Sequence, residues 1–195
     1  MTTSSTRDNT VLLLVDHQTA VMERLVKVPP LEDVKANTVA LARAARRLGV
    51  PIVLSCNIEQ DNGILIPELE KAAPDEYHQR VERQGTVNAF DDPRVSAAVR
   101  ATGRTHLVMA AIGSEVCGLN TARGARQEGY EVQFAADACG TLTEFYHDIV
   151  LRRLESEGVK LTTTPMITAE LVTNFATADG REIVQILAEA GRTGR

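Results

Sequence analysis

Short apolar runs separated by amphipathic stretches constrain the fold of this chain more than any other feature. The segment VLLLVD at 11–16 contains five consecutive apolar residues, a pattern typical of a strand that is buried on both faces of a parallel sheet. The same pattern recurs at PIVLSC (51–56), HLVMAAIG (106–113) and YEVQFAAD (130–137), and more weakly at VKLTT (159–163). The runs therefore predict the strands of a parallel sheet.

Helical patterns fill the intervals between these runs. Apolar residues at steps of four and three through 34–48 predict a helix that ends at Gly49. Repeated five or six times, this order predicts an α/β fold with three layers, α/β/α, built on a doubly wound, mostly parallel six-stranded sheet. We expect residues 1–195 to form a single domain, with a polar N-terminal tail at 1–9 and a C-terminal helical extension at 177–195.

Charge and composition argue against several classes of partner. The net charge of −5 and the absence of a Lys/Arg block argue against nucleic acid. The apolar runs are far shorter than the ~20 residues of a membrane span, and MTTSSTRDNT is too polar for a secretory signal. Three widely spaced cysteines suggest reduced thiols. We therefore expect a cytoplasmic protein that acts on a small molecule.

Chemistry is expected at the carboxyl ends of the strands, because open α/β sheets bind ligands there. The predicted strands end at Asp16, Cys56, Gly113 and Asp137. Asp16 is either the N-cap of the next helix or a general acid or base in a partly dry cleft. A phosphatase of the haloacid-dehalogenase type needs a second Asp two residues later, where this chain has Gln18.

Cys117 follows the run 106–113 in the sequence GSEVCG. A turn at Gly113 and Ser114 followed by a helix would bring backbone N–H groups and a positive dipole end close to the thiol, which would stabilise a thiolate. The N–H groups of Ser114 and Cys117 would also form an oxyanion hole. The alternative is that Cys117 is a small buried residue that packs the helix on the sheet.

The remaining cysteines and the histidines are interpreted as structural. Cys56 and Cys139 are packing residues, and a redox pair of Cys139 with Cys117 is disfavoured because the chain has no CxxC motif. No histidine has metal-ligand spacing; the four are His17, His78, His106 and His147. The chain also lacks GxGxxG and Walker A motifs. We therefore predict no metal and no cofactor.

Three segments in order resemble the isochorismatase-like cysteine hydrolases. They are VLLLVDHQ (11–18), VERQGTVNAFDDP (81–93) and AAIGSEVCGLNTARGARQEGYEVQFAADACGT (110–141). Gln18 stands where the family often has the same residue, and Cys139 stands where Ser is common in a DASGT-like turn. The resemblance covers about residues 10–175, and VNAFDDP and GSEVC most resemble the YcaC-like branch.

The resemblance implies a catalytic triad of Asp16, Arg83 and Cys117, a non-proline cis peptide at Gly113–Ser114, and a homo-oligomer. Taken alone, Arg83 is as readily a solvated surface charge. Many members of the family carry Lys at this position, and an arginine cannot relay a proton because its pKa lies above about 12. Nicotinamidases of the family have an Asp/His metal site after the second strand, which CNIEQD lacks.

The leading hypothesis is a cofactor-independent cysteine hydrolase that acts on a small amide-type C–N bond through a thioester. Gln18 and Phe90 are assigned to the substrate pocket, although an exposed Phe90 would also fit an oligomer interface. Two alternatives remain. One is a catalytically weak or inactive small-molecule binder on the same fold, with the triad degraded at Arg83. The other is a thiol redox sensor that uses Cys117 and Cys139.

Overall fold

A single parallel sheet forms the centre of the computed structural model, which describes residues 4–193. Its strands are β1 (Thr10–Val15), β2 (Ile52–Asn57), β3 (Val81–Arg83), β4 (His106–Ala111), β5 (Glu131–Ala135) and β6 (Lys160–Thr162). They lie in the order β3-β2-β1-β4-β5-β6, and every pair is parallel. The chain reverses its winding direction beside β1. The predicted doubly wound α/β fold is therefore confirmed.

Helices flank this sheet and connect its strands. They are α1 (Thr19–Leu25), α2 (Leu31–Leu48), α3 (Glu59–Asn62), α4 (Pro67–Ala72), α5 (Pro74–His78), α6 (Pro93–Ala101), α7 (Leu119–Gln127), α8 (Glu144–Ser156), α9 (Thr164–Val172) and α10 (Ala178–Thr193). The longest, α2, ends at Gly49, whose positive φ of 70° forms the expected left-handed cap. Among the helices of residues 4–193, none is long and apolar enough to cross a membrane.

Complete burial explains why the central strands β1 and β4 are apolar at every position after their first residues, Thr10 and His106. Every residue of β1 and of β4 is buried, because both strands have neighbours on either side and helices over the sheet. Their carboxyl ends diverge into different connections, and a cleft opens at such a point of an α/β sheet. The topology thus predicts the functional site where β1 and β4 end.

Two chain segments differ from the sequence prediction. The stretch 57–80 has no clear periodicity and contains Gly63, Pro67 and Pro74, which predicts a long loop with a short helix around 67–73. The structure has three short helices there, α3 to α5. The strand β3 is not predicted by its sequence, because three residues at a sheet edge carry no detectable period. This strand matters for function, since its last residue is Arg83.

Both predicted extensions pack against the sheet domain. The described part of the N-terminal tail, 4–9, includes the buried Ser5, whose hydroxyl accepts a hydrogen bond from Gln133 Nε2 at 2.8 Å. The C-terminal helix α10 packs on α2, where Arg47 binds both Asp179 and Glu182. Residues 1–3 and 194–195 of the two predicted extensions lie outside the described residues.

Candidate active site

Three polar side chains from distant parts of the chain meet at the carboxyl edge of the sheet. Asp16 directly follows β1, Arg83 ends β3, and Cys117 lies in a π-helical turn, Ser114–Gly118, that follows β4. The Arg83 guanidinium forms an ion pair with the Asp16 carboxylate, and both side chains act on the Cys117 thiol. The residues that the resemblance assigned to a triad are therefore neighbours.

The backbone of Asp16 has a conformation that is rare for a residue with a side chain. Its φ is 61°, in the left-handed region that Asp and Asn tolerate better than other non-glycine residues. Its N–H donates to the Ser55 carbonyl at 2.9 Å, and its carbonyl accepts from the Gln18 N–H at 2.7 Å. These bonds hold the strained residue in place. Strain of this kind is common at functional sites.

Arg83 is fully buried, and protein groups bind its guanidinium on every side. Its Nε donates to Ser55 Oγ at 3.0 Å, and its Nη2 donates to Asp16 Oδ1. Its Nη1 donates to the carbonyls of Thr86 and Val87, the latter at 3.4 Å. The possibility that Arg83 is a solvated surface charge is therefore wrong. These bonds fix the position of the guanidinium beside the Asp16 carboxylate.

The Cys117 thiol is partly buried and protonated at neutral pH. Burial, together with the negative charge and hydrogen bonding of Asp16, raises its pKa to about 12, and the Arg83 guanidinium opposes this effect. The expectation that the turn stabilises a thiolate is therefore wrong. Reaction at this sulfur needs a base to remove the proton, and the Asp16 carboxylate is the group in position to accept it.

The turn that carries Cys117 is built differently from the sequence expectation. Within residues 4–193 the cis peptide bond is Val28–Pro29, so the predicted cis bond at Gly113–Ser114 is wrong; Gly113 makes the turn through a left-handed φ of 70° instead. The N–H of Ser114 donates to the Gly140 carbonyl at 3.0 Å, and so does its hydroxyl. The assignment of Ser114 to an oxyanion hole is therefore wrong. The Cys117 N–H remains a prediction for that role.

Gln18 supports the site rather than forming a pocket wall. Its side chain is fully buried, its amide nitrogen donates to the carbonyls of Asn57 and Gly63, and its amide oxygen accepts from the Asn57 N–H. These bonds use both the amide nitrogen and the amide oxygen. The assignment of Gln18 to substrate binding is wrong, because the amide joins the end of β1 to the segment after β2.

Phe90 is a core residue. It is buried, and its ring lies 5.8 Å from that of Tyr130, centroid to centroid. The interpretation as an exposed interface residue is therefore wrong. The assignment of Phe90 to the substrate pocket stays a prediction.

The other two thiols are buried away from this chemistry. Cys56 donates to Glu59 Oε1 at 3.2 Å, and burial raises its pKa to about 12. Cys139 donates to the Ala135 carbonyl at 3.1 Å and accepts from the Ala111 N–H, and burial raises its pKa as well. Among the described side chains, no group of three His, Cys, Asp or Glu residues could hold a metal ion.

Sequence reasoning missed Ser55, which contacts both members of the ion pair. It is fully buried in β2; its carbonyl accepts from Asp16 and its hydroxyl from Arg83. The available signal was a hydroxyl near the end of an otherwise apolar strand, since a buried polar group needs a hydrogen-bond partner.

The sequence and the fold have counterparts among known proteins. The model of the Isochorismatase domain family matches residues 10–166. The "Probable hydrolase YcaC" of Escherichia coli (strain K12) is 33% identical over 166 residues, which are 85% of this chain and 78% of that protein. "Isochorismatase domain-containing protein 2" of Rattus norvegicus is 27% identical over 93% of this chain and 82% of its own length.

Two solved structures resemble the whole chain. The Escherichia coli YcaC gene product, described as an octameric hydrolase of unknown specificity, has a TM-score of 0.86 and 29% identity over 100% of this chain and 92% of its own. YcaC from Pseudomonas aeruginosa, solved with hexane-2,5-diol and covalent acrylamide, has a TM-score of 0.88 and 28% identity over 98% of this chain and 96% of its own.

Proposed function

The chain belongs to the isochorismatase family of hydrolases, and we propose that it is a cofactor-independent cysteine hydrolase that cleaves an amide-type C–N bond of a small molecule. The observation that carries this proposal is the buried Asp16–Arg83 ion pair facing the Cys117 thiol. A nucleophile beside a base that is itself oriented by a third group is the arrangement that nucleophilic catalysis requires.

In the proposed reaction, Asp16 first acts as the base. It takes the thiol proton as Cys117 Sγ attacks the substrate carbonyl and forms a C–S bond. Asp16 then gives that proton to the nitrogen of the tetrahedral intermediate, and the C–N bond breaks. The amine departs, and a thioester remains on Cys117. The neutral thiol avoids the cost of keeping two negative charges side by side before substrate arrives.

In the hydrolysis of the thioester, Asp16 again accepts a proton first and donates it afterwards, now from water to the sulfur. A water molecule attacks the thioester carbonyl and gives its proton to Asp16; the C–S bond then breaks, and Asp16 returns the proton to the sulfur. The products are a carboxylic acid and free enzyme. Arg83 contributes fixed positive charge and no proton transfer, and the Cys117 N–H is the proposed donor to the oxyanion.

Covalent chemistry in a relative supports Cys117 as the nucleophile. The Pseudomonas aeruginosa protein was solved with covalent acrylamide, and acrylamide is an electrophile that adds to thiols. Because Cys117 is the least buried of the three cysteines in this chain, we expect acrylamide to attach there. The burial of Cys139 disfavours the redox-sensor alternative, which requires a second accessible thiol.

Turnover of a panel of small amides tests the proposal. We expect Cys117→Ala and Cys117→Ser to abolish acid release and acrylamide attachment, and Cys56→Ala, a matched control beside Glu59, to retain both. Hydrolysis that survives in Cys117→Ala would exclude this mechanism. Binding of an amide without turnover by the parent would favour the small-molecule binder.

We also propose that the chain assembles with copies of itself in a reducing compartment such as the cytoplasm. The Escherichia coli relative is octameric, and all three cysteines of this chain are free. Phe145, Tyr146 and Ile149 are exposed on α8, with Phe145 70% exposed, and the exposed Leu142 lies just before the N-cap of this helix. Light scattering should report an oligomer that Phe145→Glu dissociates and that Val184→Glu, exposed on α10, leaves intact.

A further inference from the structure

Ser55 contacts the ion pair of the candidate active site from both sides. Its carbonyl accepts the Asp16 N–H at 2.9 Å. Its hydroxyl accepts from Arg83 Nε at 3.0 Å and donates to the Val81 carbonyl at 3.1 Å. The strand register explains these contacts, because Ser55 is paired with Val15 of β1 and with Val81 of β3. Three adjacent strands thus meet at Ser55: its carbonyl bonds to the end of β1, and its hydroxyl bonds to β3.

The hydroxyl occupies half of the guanidinium edge that faces Asp16. An arginine commonly grips both oxygens of a carboxylate through two parallel N–H groups, and Nε and Nη2 form one such edge. Here Ser55 takes Nε, so Arg83 binds Asp16 through Nη2 and Oδ1 alone among the described contacts. The Asp16 carboxylate, held in this way, also acts on the Cys117 thiol.

We infer that Ser55 is a positioning residue whose hydroxyl keeps the Asp16–Arg83 pair joined through one carboxylate oxygen, so that the carboxylate stays oriented toward the Cys117 thiol. This inference rests on the proposed hydrolase function and adds a residue to its machinery. Ser55 acts through Asp16 and Arg83 and has no contact with the reacting sulfur of its own in the part of the chain that is described.

Removing the hydroxyl should change the pair in a defined way. In Ser55→Ala, Arg83 Nε loses its hydrogen-bond acceptor. Nε and Nη2 then bind both oxygens of the Asp16 carboxylate. The carboxylate then turns away from the thiol, which loses the negative neighbour that raises its pKa. The charged groups that act on the thiol are Asp16 and Arg83, and His17 beside Asp16 is neutral. Thiolate should therefore form more readily while base catalysis is lost.

Iodoacetamide labelling with peptide mapping separates these effects, because it reports each cysteine independently. At one mildly alkaline pH, Cys117 should be labelled roughly tenfold faster in Ser55→Ala and Ser55→Gly, as for a decrease of one pKa unit. Ser55→Thr, which keeps the hydroxyl, should be labelled like the parent. In an Asp16→Asn background, Ser55→Ala should have no further effect, because the carboxylate on which it acts is gone.

Three outcomes would overturn the inference: a parent-like rate in both Ser55→Ala and Ser55→Gly, the same acceleration in the Asp16→Asn background, or equal acceleration at Cys56 and Cys139. The last would mean that the variants merely loosen the structure, since both of those thiols are buried. If either Ser55→Ala or Ser55→Gly fails to fold, the labelling rate of the other still tests the inference. A different result would contradict the proposed function, namely amide hydrolysis that persists in Cys117→Ala.

Discussion

The Arg83 guanidinium and the Asp16 carboxylate form an ion pair that is almost completely shielded from solvent. The side chain of Arg83 is 0% exposed and that of Asp16 is 4% exposed. A buried charge that loses its partner destabilises a protein by about 3–5 kcal/mol. The pair therefore stabilises the fold in addition to its proposed catalytic role, and variants that keep its charge or shape test that role best.

Asp16→Asn should change alkylation and hydrolysis in opposite directions. Asn tolerates the left-handed backbone at this position, so the fold should survive. The thiol loses the negative charge that raises its pKa, and iodoacetamide should label Cys117 roughly tenfold faster at a fixed pH. Amide hydrolysis should fall by about 10²–10⁴-fold because the general base is gone.

The matched control for this prediction is Asp148→Asn, an exposed carboxylate on α8. It should alter neither rate. Parallel changes of labelling and hydrolysis in Asp16→Asn would show that Asp16 does not act as the base toward Cys117.

Arg83→Lys should destabilise the protein and should not create activity. An ammonium group cannot reach Ser55 Oγ, Asp16 and the Thr86 carbonyl as the guanidinium does, so buried acceptors lose their donors. We expect a loss of about 1–3 kcal/mol in the free energy of unfolding, measured with denaturant. Arg100→Lys, an exposed partner of Glu128, should stay within about 0.5 kcal/mol of the parent. A Lys variant as stable as the parent and more active would mean that Arg83 blocks the chemistry.

The sequence was sufficient for most of the fold because burial imposes a readable pattern. Strands β1 and β4 are apolar at every position after the first, since both of their faces are covered. The edge strand β3 has three residues and only one buried position, so nothing in its sequence separates it from a loop. Its existence depends on pairing with β2, which is a tertiary interaction.

The candidate site shows the same division between local and long-range signals. Asp16 stands directly after an apolar run, and Cys117 stands four residues after the run 106–113. The resemblance to a family added Arg83 to these two residues. The roles assigned to Gln18 and Ser114 were wrong because they depend on partners far along the chain: Asn57 and Gly63 for Gln18, and Gly140 for Ser114. No local pattern reports such hydrogen bonds.

His17 should make the protein lose stability as the pH falls below 6.5. Burial lowers its pKa to about 4, whereas the unfolded chain has the ordinary value of 6.5, so the unfolded state binds the proton more strongly. Stability from this group is complete above pH 6.5 and is lost progressively down to about pH 4. The pKa difference corresponds to roughly 3 kcal/mol. Denaturant titrations of His17→Gln should show a shallower loss over this range, and those of the exposed His78→Gln should match the parent. Equal slopes in all three proteins would contradict this role.

Gly140→Ala should disturb the turn that carries Cys117. A Cβ at this position would lie 2.5 Å from Val26 Cγ2, and Val26 is buried, so the segment must shift. The Gly140 carbonyl accepts from the N–H groups of Gly113 and Ser114. The shift would therefore reach the turn that carries Cys117.

We expect Gly140→Ala to cost about 1–3 kcal/mol in the free energy of unfolding, the usual penalty of overpacking, and to lower hydrolysis at the same time. Val26→Ala, combined with it, should restore part of both by making room for the new methyl group. Gly191→Ala on α10 meets open space and should be neutral or stabilise by up to about 1 kcal/mol. If the double variant is no more stable and no more active than Gly140→Ala alone, the contact with Val26 is not the reason that position 140 requires glycine. The hydrogen bonds from the Gly140 carbonyl to the turn that carries Cys117 are then the cause to test next.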